Sequence, residues 1–509
     1  MTGLVPLVLL ATSLVTAALI FPMREEQRRA RSVLNLTGAT AKLVVIAAVA
    51  GPVLAGERFT WSSPLLPGVD LLLRIDELSL LFLTLSALLW LVTTVYAIGY
   101  LEDSPHRSRF FGFFSLCVTS TVGIALAGNL VTFLIFYELL TLVTYPLVAH
   151  RGTPEALAGA RTYLRYTLGG GAVLLVGVAW LTSLAGSASF APGGAAEVAA
   201  LVAERPATMT ALFAVLVAGL SVKAAVVPLH GWLPRAMVAP APVSALLHAV
   251  AVVKAGAFGM VRLIYDVYGI EVAAGLGVLT PLAALAAVTI LYGSVRALTQ
   301  DDLKKRLAYS TVSQMSYIVL GLSLVGVYST TAAVAHLVHQ GLMKITLFFC
   351  AGAIAETLHL HKVSELRGVG RRMPLTMTAF TIGALGMMGA PPVAGYVTKV
   401  YLGLGGLEAG HWWVLAVLAA STLLNAAYFL PILLTAWFRA PEPPAATAAP
   451  PDPPGPARPG PGSRRLEGSA MLILPSAATA LLALGAGLLA GADQSPLGVA
   501  TRIAEQGYP

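Results

Sequence analysis

Runs of about 20 apolar residues follow one another along almost the whole chain, and a run of that length is what a helix needs to cross the hydrocarbon core of a bilayer. Fourteen are centred near residues 12, 42, 88, 118, 138, 170, 218, 253, 285, 312, 342, 388, 424 and 480. Only 11% of the 509 residues are charged, against roughly a quarter in soluble domains. Such a chain cannot clothe a water-facing surface. A soluble enzyme, a nucleic-acid binder and a disordered scaffold are excluded on that ground. The expected fold is an all-α integral membrane protein of about 14 transmembrane helices.

Basic residues give the expected orientation, because cytoplasmic loops collect Lys and Arg. With the amino terminus outside, the inside segments hold 22 of the 32 basic residues, among them Arg24, Arg28, Arg29, Arg31, Lys304, Lys305, Arg306, Arg371 and Arg372. Arg58, Arg74, Arg205, Arg262 and Arg502 fall outside. The expectation is a multi-pass protein of a cell membrane, of the bacterial cytoplasmic type, with both termini outside. The first run, Leu4 to Phe21, has its arginines after it and none before, the reverse of a secretory signal, so it is expected to stay as a helix. Residues 441–463 hold ten prolines and read as an extended linker. The stretch Leu54 to Asp76 is a longer outside loop. Cys117 and Cys350 sit in apolar runs without ligand spacing and read as packing residues; no metal and no cofactor is expected.

Two spans are interrupted by proline. Pro228 lies in Ser221-Val-Lys-Ala-Ala-Val-Val-Pro-Leu-His-Gly-Trp-Leu-Pro234, and Pro391 and Pro392 lie in Gly386-Met-Met-Gly-Ala-Pro-Pro-Val-Ala-Gly-Tyr-Val-Thr-Lys399. A helix-interior proline strips the carbonyl four residues back of its donor, which should free Ala224 in the first span and Met387 and Met388 in the second. In groups of five, spans 4 to 8 and 9 to 13 each carry the break in the fourth member. Five is odd, so consecutive units have opposite topology: two inverted five-helix repeats with two broken helices, an arrangement that places transport at the breaks. The expected divisions are 1–105 (three helices), 106–266 and 267–440 (the repeats), 441–467 (linker) and 468–509 (a last helix).

Five lysines remain inside spans: Lys42, Lys223, Lys254, Lys344 and Lys399. Each such charge costs about 2.5–3.5 kcal/mol on insertion scales, so it must be paired, wetted or functional. Lys42 is expected to be static, either buried in a fixed pair or snorkelling toward the arginine-rich end of its helix. Glu138 is the one acid near the middle of a predicted span, and Lys223, in the same five-helix unit, is its expected partner. A lysine whose carboxylate partner can approach or withdraw is a switchable proton carrier. In the eleventh span His336, His339, Gln340 and Lys344 fall on one helical face and read as a proton relay, since imidazole exchanges protons near neutral pH. His230 and His248 are candidates for a relay between Lys223 and Lys254.

These segments resemble the antiporter-like membrane subunits shared by respiratory complex I, membrane-bound hydrogenases and the multisubunit Mrp-type cation/proton antiporters. The likeness spans about residues 70–440. It is carried by Phe136-Tyr-Glu138, the stretch from Lys223 to Pro242, the Lys254 and Lys344 helices, and Gly389-Ala-Pro-Pro-Val-Ala-Gly395 with Lys399. Thr346 to Ile354 and Leu366 to Pro374 look most like the D-type subunit of Mrp antiporters. The resemblance implies a proton route from Glu138 and Lys223 through Lys254 and Lys344 to Lys399, with other membrane subunits, protons and a monovalent cation as partners. Where relatives commonly carry Asn-His in the eleventh helix, this chain has His339-Gln340. The competing expectations are a pump subunit of an NADH:quinone oxidoreductase or membrane-bound hydrogenase, a proton-coupled inorganic-carbon or solute transporter, and a structural scaffold. No nucleotide loop, cysteine cluster or haem motif appears in the sequence, so the chain is not read as a redox enzyme.

Overall fold

A computed structural model describes residues 2–101, 104–440 and 467–508. The chain is helical almost throughout: α1 Val5–Ile20, α2 Arg28–Leu54, α3 Glu77–Tyr100, α4 Arg107–Leu126, α5 Leu130–Val148, α6 Pro154–Ala185, α7 Pro206–Ala224, α8 Ala241–Tyr268, α9 Leu279–Leu298, α10 Leu303–Leu322, α11 Val327–Leu358, α12 Pro374–Met388, α13 Ala394–Glu408, α14 Trp413–Phe438, α15 Ala470–Leu488 and α16 Pro496–Glu505. Among the described residues, 11 helices are long and apolar enough to cross a membrane. The other three expected positions hold the shorter α1, the more polar α10, and the broken pair α12 and α13. The proline-rich stretch, up to residue 466, lies outside the described residues.

The long connection between α2 and α3 is not irregular. Phe59–Leu66 (β1) and Val69–Ile75 (β2) pair antiparallel around a turn at Gly68, whose φ of +76° suits glycine. The hairpin hands over to α3 through Asp76, whose carboxylate accepts from the Ser79 N–H at 2.8 Å. At the opposite face, Glu25 in the α1–α2 connection caps α4, accepting from the Arg107 and Ser108 N–H groups at 2.8 and 3.1 Å.

Helix α8 is enclosed along its whole length, and α11 passes beside α3, α8, α10, α12, α13, α15 and α16. These two helices form the middle of the molecule. Outward faces stay apolar: Leu175 and Val176 of α6, Val288 of α9 and Leu423 of α14 are exposed. With lipid as the solvent such residues need no cover. What is unusual is the interior, which holds lysines and histidines.

Candidate functional site

The two expected breaks are present and are built alike. Helix α7 stops at Ala224 with Ala225 left-handed (φ +58°), and the N–H groups of Val226 and Ala225 return to Ser221 and Val222. Helix α12 stops at Met388 with Gly389 left-handed (φ +84°), and the N–H groups of Ala390 and Gly389 return to Leu385 and Gly386. Both are the paired bonds of a Schellman end. Glycine is needed in the second because a Cβ there would lie 2.6 Å from the Lys399 Cδ.

Side chains meet the exposed carbonyls. In the second break the two carbonyls expected to be free are the ones served: Lys399 Nζ donates to Met388 at 2.7 Å, and Asn425 Nδ2 donates to Met387 at 3.0 Å. Lys399 also donates to Thr422 Oγ1 at 2.8 Å. In the first break Trp232 Nε1 donates to Val222 O at 2.7 Å, and the Val227 N–H donates to Thr289 Oγ1 at 3.2 Å.

Lys223, at the end of α7, is fully buried and donates to the backbone carbonyl of Tyr137, its ammonium 3.3 Å from the centre of the Tyr137 ring. Glu138 is the next residue, but no ion pair joins it to Lys223 among the described residues. The two charges act on each other as expected, but across a gap: the direct contact of the ammonium is with the residue before Glu138. The Glu138 carboxylate lies against Gly171 of α6, and its Oε1 is buried without a hydrogen-bond partner. Lys223 has a carbonyl and a π face to hold its charge, while Glu138 is left without a fixed donor.

Lys254 follows a disturbed turn in α8, where Leu246–Val250 is π-wound and Ala251 has φ −112° and ψ −83°. Its ammonium is wholly buried with no hydrogen-bond partner. A Cβ on Gly256 would press on the backbone of Lys223 and Ala224, so α8 lies against the end of α7 at the first break. On its other side the Lys254 charge acts on His336 and His339.

In α11 the four polar groups expected on one face are all buried. His339 Nδ1 pairs with Thr398 Oγ1 at 2.8 Å, and the His336 ring lies 5.5 Å from that of Tyr317. His336 also senses the charge of Lys399, so it faces the lysines beside both breaks. Lys344 donates to Leu307 O at 3.0 Å and to Ser310 Oγ. Both His336 nitrogens, His339 Nε2 and both Gln340 side-chain atoms are buried without partners. Buried polar groups are normally satisfied, if only by water, and a row of unsatisfied ones suits a wetted path. His230 instead packs on Tyr292 and Tyr309; His248 lies on Phe348.

Of the two static roles open to Lys42 the buried one is taken: it is fully buried, bonded to Ser13 Oγ at 2.8 Å and 4.7 Å from the Trp90 ring centre. Two polar features escaped the sequence reading. Arg262 is buried within α8, held by Asp76 at 2.8 and 2.9 Å and by Asp266 at 2.7 Å; the i,i+4 spacing of Arg262 and Asp266 was the available signal. Lys304, counted with the arginine-rich face, turns inward and donates to Ala239 O at 2.5 Å. No group of three or more His, Cys, Asp or Glu side chains that could hold a metal occurs among the described residues.

A family model described as NADH:quinone oxidoreductase/Mrp antiporter, TM, matches residues 127–425, and one described as NADH-Ubiquinone oxidoreductase (complex I), chain 5 N-terminus, matches residues 67–111. The chain is 37% identical over 429 residues to NADH-quinone oxidoreductase subunit N of Desulforudis audaxviator, covering 83% of this chain and 81% of that protein. It is 34% identical over 350 residues to the A/B subunit of a probable K(+)/H(+) antiporter of Rhizobium meliloti, covering 67% of this chain but only 33% of that protein. A chain in the solved Mrp complex of a Dietzia species superimposes with a TM-score of 0.84 at 25% identity, covering 100% of this chain and 97% of the other.

Proposed function

The chain belongs to the NADH:quinone oxidoreductase/Mrp antiporter family of membrane subunits, and from that premise we propose that it is the D-type subunit of an Mrp-type complex exchanging protons for Na⁺ or another monovalent cation. Antiporter-like, proton-pumping membrane subunits of complex I and Mrp-type complexes are what the family contains. The finer reading is supported by the end-to-end match to a chain of an Mrp complex. The observation that carries proton translocation is the row of ionisable groups from a half-buried Glu138 through the buried Lys223, Lys254 and His336 to a half-buried Lys399, much of it without fixed partners.

In this reading Glu138 and Lys223 form the gate. With no direct bond between them, the ammonium can trade the Tyr137 carbonyl for the carboxylate, and that exchange alters how readily Lys223 gives up its proton. Lys254 takes the proton next, and His336 and His339 carry it between the units toward Lys399. Lys344 joins from the arginine-rich side. Lys399 releases it across the second break, where a cavity of about 610 Å³ lined by Tyr396, Val400, Leu415 and Thr422 opens. The apolar walls of that cavity suit a helix of a neighbouring subunit. The two inverted units, 106–266 and 267–440, and the placement of both termini outside in a bacterial cytoplasmic membrane are part of the same proposal.

A second reading, a redox-driven pump subunit, is favoured by the 37% identity to a subunit N over most of both chains. Everted vesicles with and without the gene separate the two. Gene-dependent change of ΔpH on adding Na⁺ or K⁺ supports exchange. Gene-dependent acidification that needs an electron donor and ignores the cations overturns it in favour of the pump.

A further inference from the structure

Helix α10 begins at Leu303 on the arginine-rich face, where Asp302 caps it by accepting from the Lys305 N–H at 2.8 Å. Lys305 points to solvent, but Lys304 is turned inward and half-buried. Its ammonium holds the Ala239 carbonyl at 2.5 Å, two residues before the enclosed helix α8 starts. One turn further along α10, Leu307 supplies the carbonyl that accepts from Lys344, and Ser310, a turn beyond, supplies the hydroxyl. Residues three apart on a helix are neighbours on one face. Lys304 thus stands one turn from the group that anchors the buried Lys344.

Nearby stands His248 of α8, nine residues beyond Ala239 and against Phe348, which lies one turn from Lys344 on α11. It is fully buried, packed at 4.5 Å on the Phe348 ring, with both ring nitrogens lacking a hydrogen-bond partner. The charges it faces are those of Lys344 and Lys304. On the solvent side of the Ala239–Pro240 step, a cavity of about 400 Å³ is lined by Tyr100, His150, Arg151, Pro240 and Glu356.

We propose that Lys304 is a proton inlet on the arginine-rich face, passing protons through His248 to Lys344; this rests on the proton-carrying reading above. The Lys304 ammonium gives its proton to bridging water, which passes one on to a nitrogen of the neutral His248 ring. The imidazolium releases the proton on its other nitrogen to the neutral amine of Lys344. The amine left on Lys304 is reprotonated from water at the arginine-rich face, to which its half-buried side chain is open, so one proton enters for each that moves on. His248 suits the step because an imidazole can accept at one nitrogen while donating from the other.

The experiment measures gene-dependent ΔpH in everted vesicles holding the whole complex, with Lys304→Ala, Lys304→Arg, Lys304→His and His248→Phe. Arginine keeps a charged donor for the Ala239 carbonyl but does not release its proton. The inlet predicts that Lys304→Arg and His248→Phe lose tenfold or more in rate with the complex still assembled. Lys304→His should keep part of the rate, with its optimum moved to lower pH because imidazole titrates near 6.5. Wild-type rate in Lys304→Arg would make Lys304 a mere tie between helices, and wild-type rate in His248→Phe would remove the relay; either overturns the inlet. If Lys304→Ala fails to assemble, the arginine variant still decides. Absence of any gene-dependent ΔpH in the unmodified complex is the separate result that would overturn the transport reading and the inlet with it.

Discussion

Gly171 is the most discriminating place to perturb the gate without touching a charged group. A Cβ built on it would stand 2.5 Å from the Glu138 Cδ and 2.6 Å from its Oε2, in the body of the carboxylate. Restoring van der Waals separation of about 3.5 Å moves that carboxylate by about 1 Å, and a misplacement of about 1 Å in a reacting constellation can cost about 10²-fold in rate. Gly171→Ala should therefore lower proton transport by roughly 10- to 100-fold. It should not lower stability much, because glycine to alanine within a helix is favourable by about 1 kcal/mol and the carboxylate can swing aside. Gly169→Ala, two residues away, is the matched control, since a Cβ there meets nothing within 4 Å. The assay is the initial rate of ΔpH change in everted vesicles, normalised to the amount of assembled complex, with Glu138→Asp added to Gly171→Ala as a shortened side chain that should recover part of the loss. Equal rates for Gly171→Ala and Gly169→Ala would refute the claim that the position of the Glu138 carboxylate controls transport.

Other consequences follow from the same geometry. Asn425→Leu strips the Met387 carbonyl of its 3.0 Å donor and should destabilise the second break by about 1–3 kcal/mol, read as a lowered Tm in detergent. Asp76→Asn breaks a two-pronged bond to the buried Arg262 and should cost about 3–5 kcal/mol. Burial raises the Asp76 carboxyl, but Arg262, Arg74 and the Ser79 N–H outweigh it and hold the group at about 2; its stabilising contribution is present above the ordinary aspartate value of about 3.9 and is lost as pH falls toward 2, so the wild-type Tm should drop across that window more than that of Asp76→Asn. Glu25 is likewise held below its usual range: burial raises it, and the Ser108 and Arg107 N–H groups with the Arg31 charge prevail. Glu25→Ala should cost about 1 kcal/mol at pH 7, with the difference from wild type shrinking as pH falls below about 4.3.

The local chemistry of this chain was readable from its residues and the crossings of its helices were not. Proline's missing N–H is a local fact, so the breaks and the carbonyls of Met387 and Met388 could be named in advance, although not that Lys399 and Asn425 would serve them. Helical period likewise placed His336, His339, Gln340 and Lys344 on one face. The choice of Tyr137 O over Glu138 for Lys223 depends on how α5 and α7 cross, which no spacing encodes. Arg262 and Asp76 lie 186 residues apart and meet only because the hairpin delivers α3 beside the end of α8. Lys304 was read as solvated because it stands among arginines, whereas the depth of a lysine is set by the neighbours that close over it.

Lys254 tests the account most directly, because it stands between the first break and His336 with its ammonium buried and unbonded. Lys254→Met keeps the length of the side chain and removes the proton-carrying nitrogen, and with no bond to that nitrogen in the folded chain the complex should assemble at wild-type levels. In everted vesicles the account predicts that this variant loses nearly all gene-dependent ΔpH change. An assembled Lys254→Met complex that moves protons at the wild-type rate would contradict it.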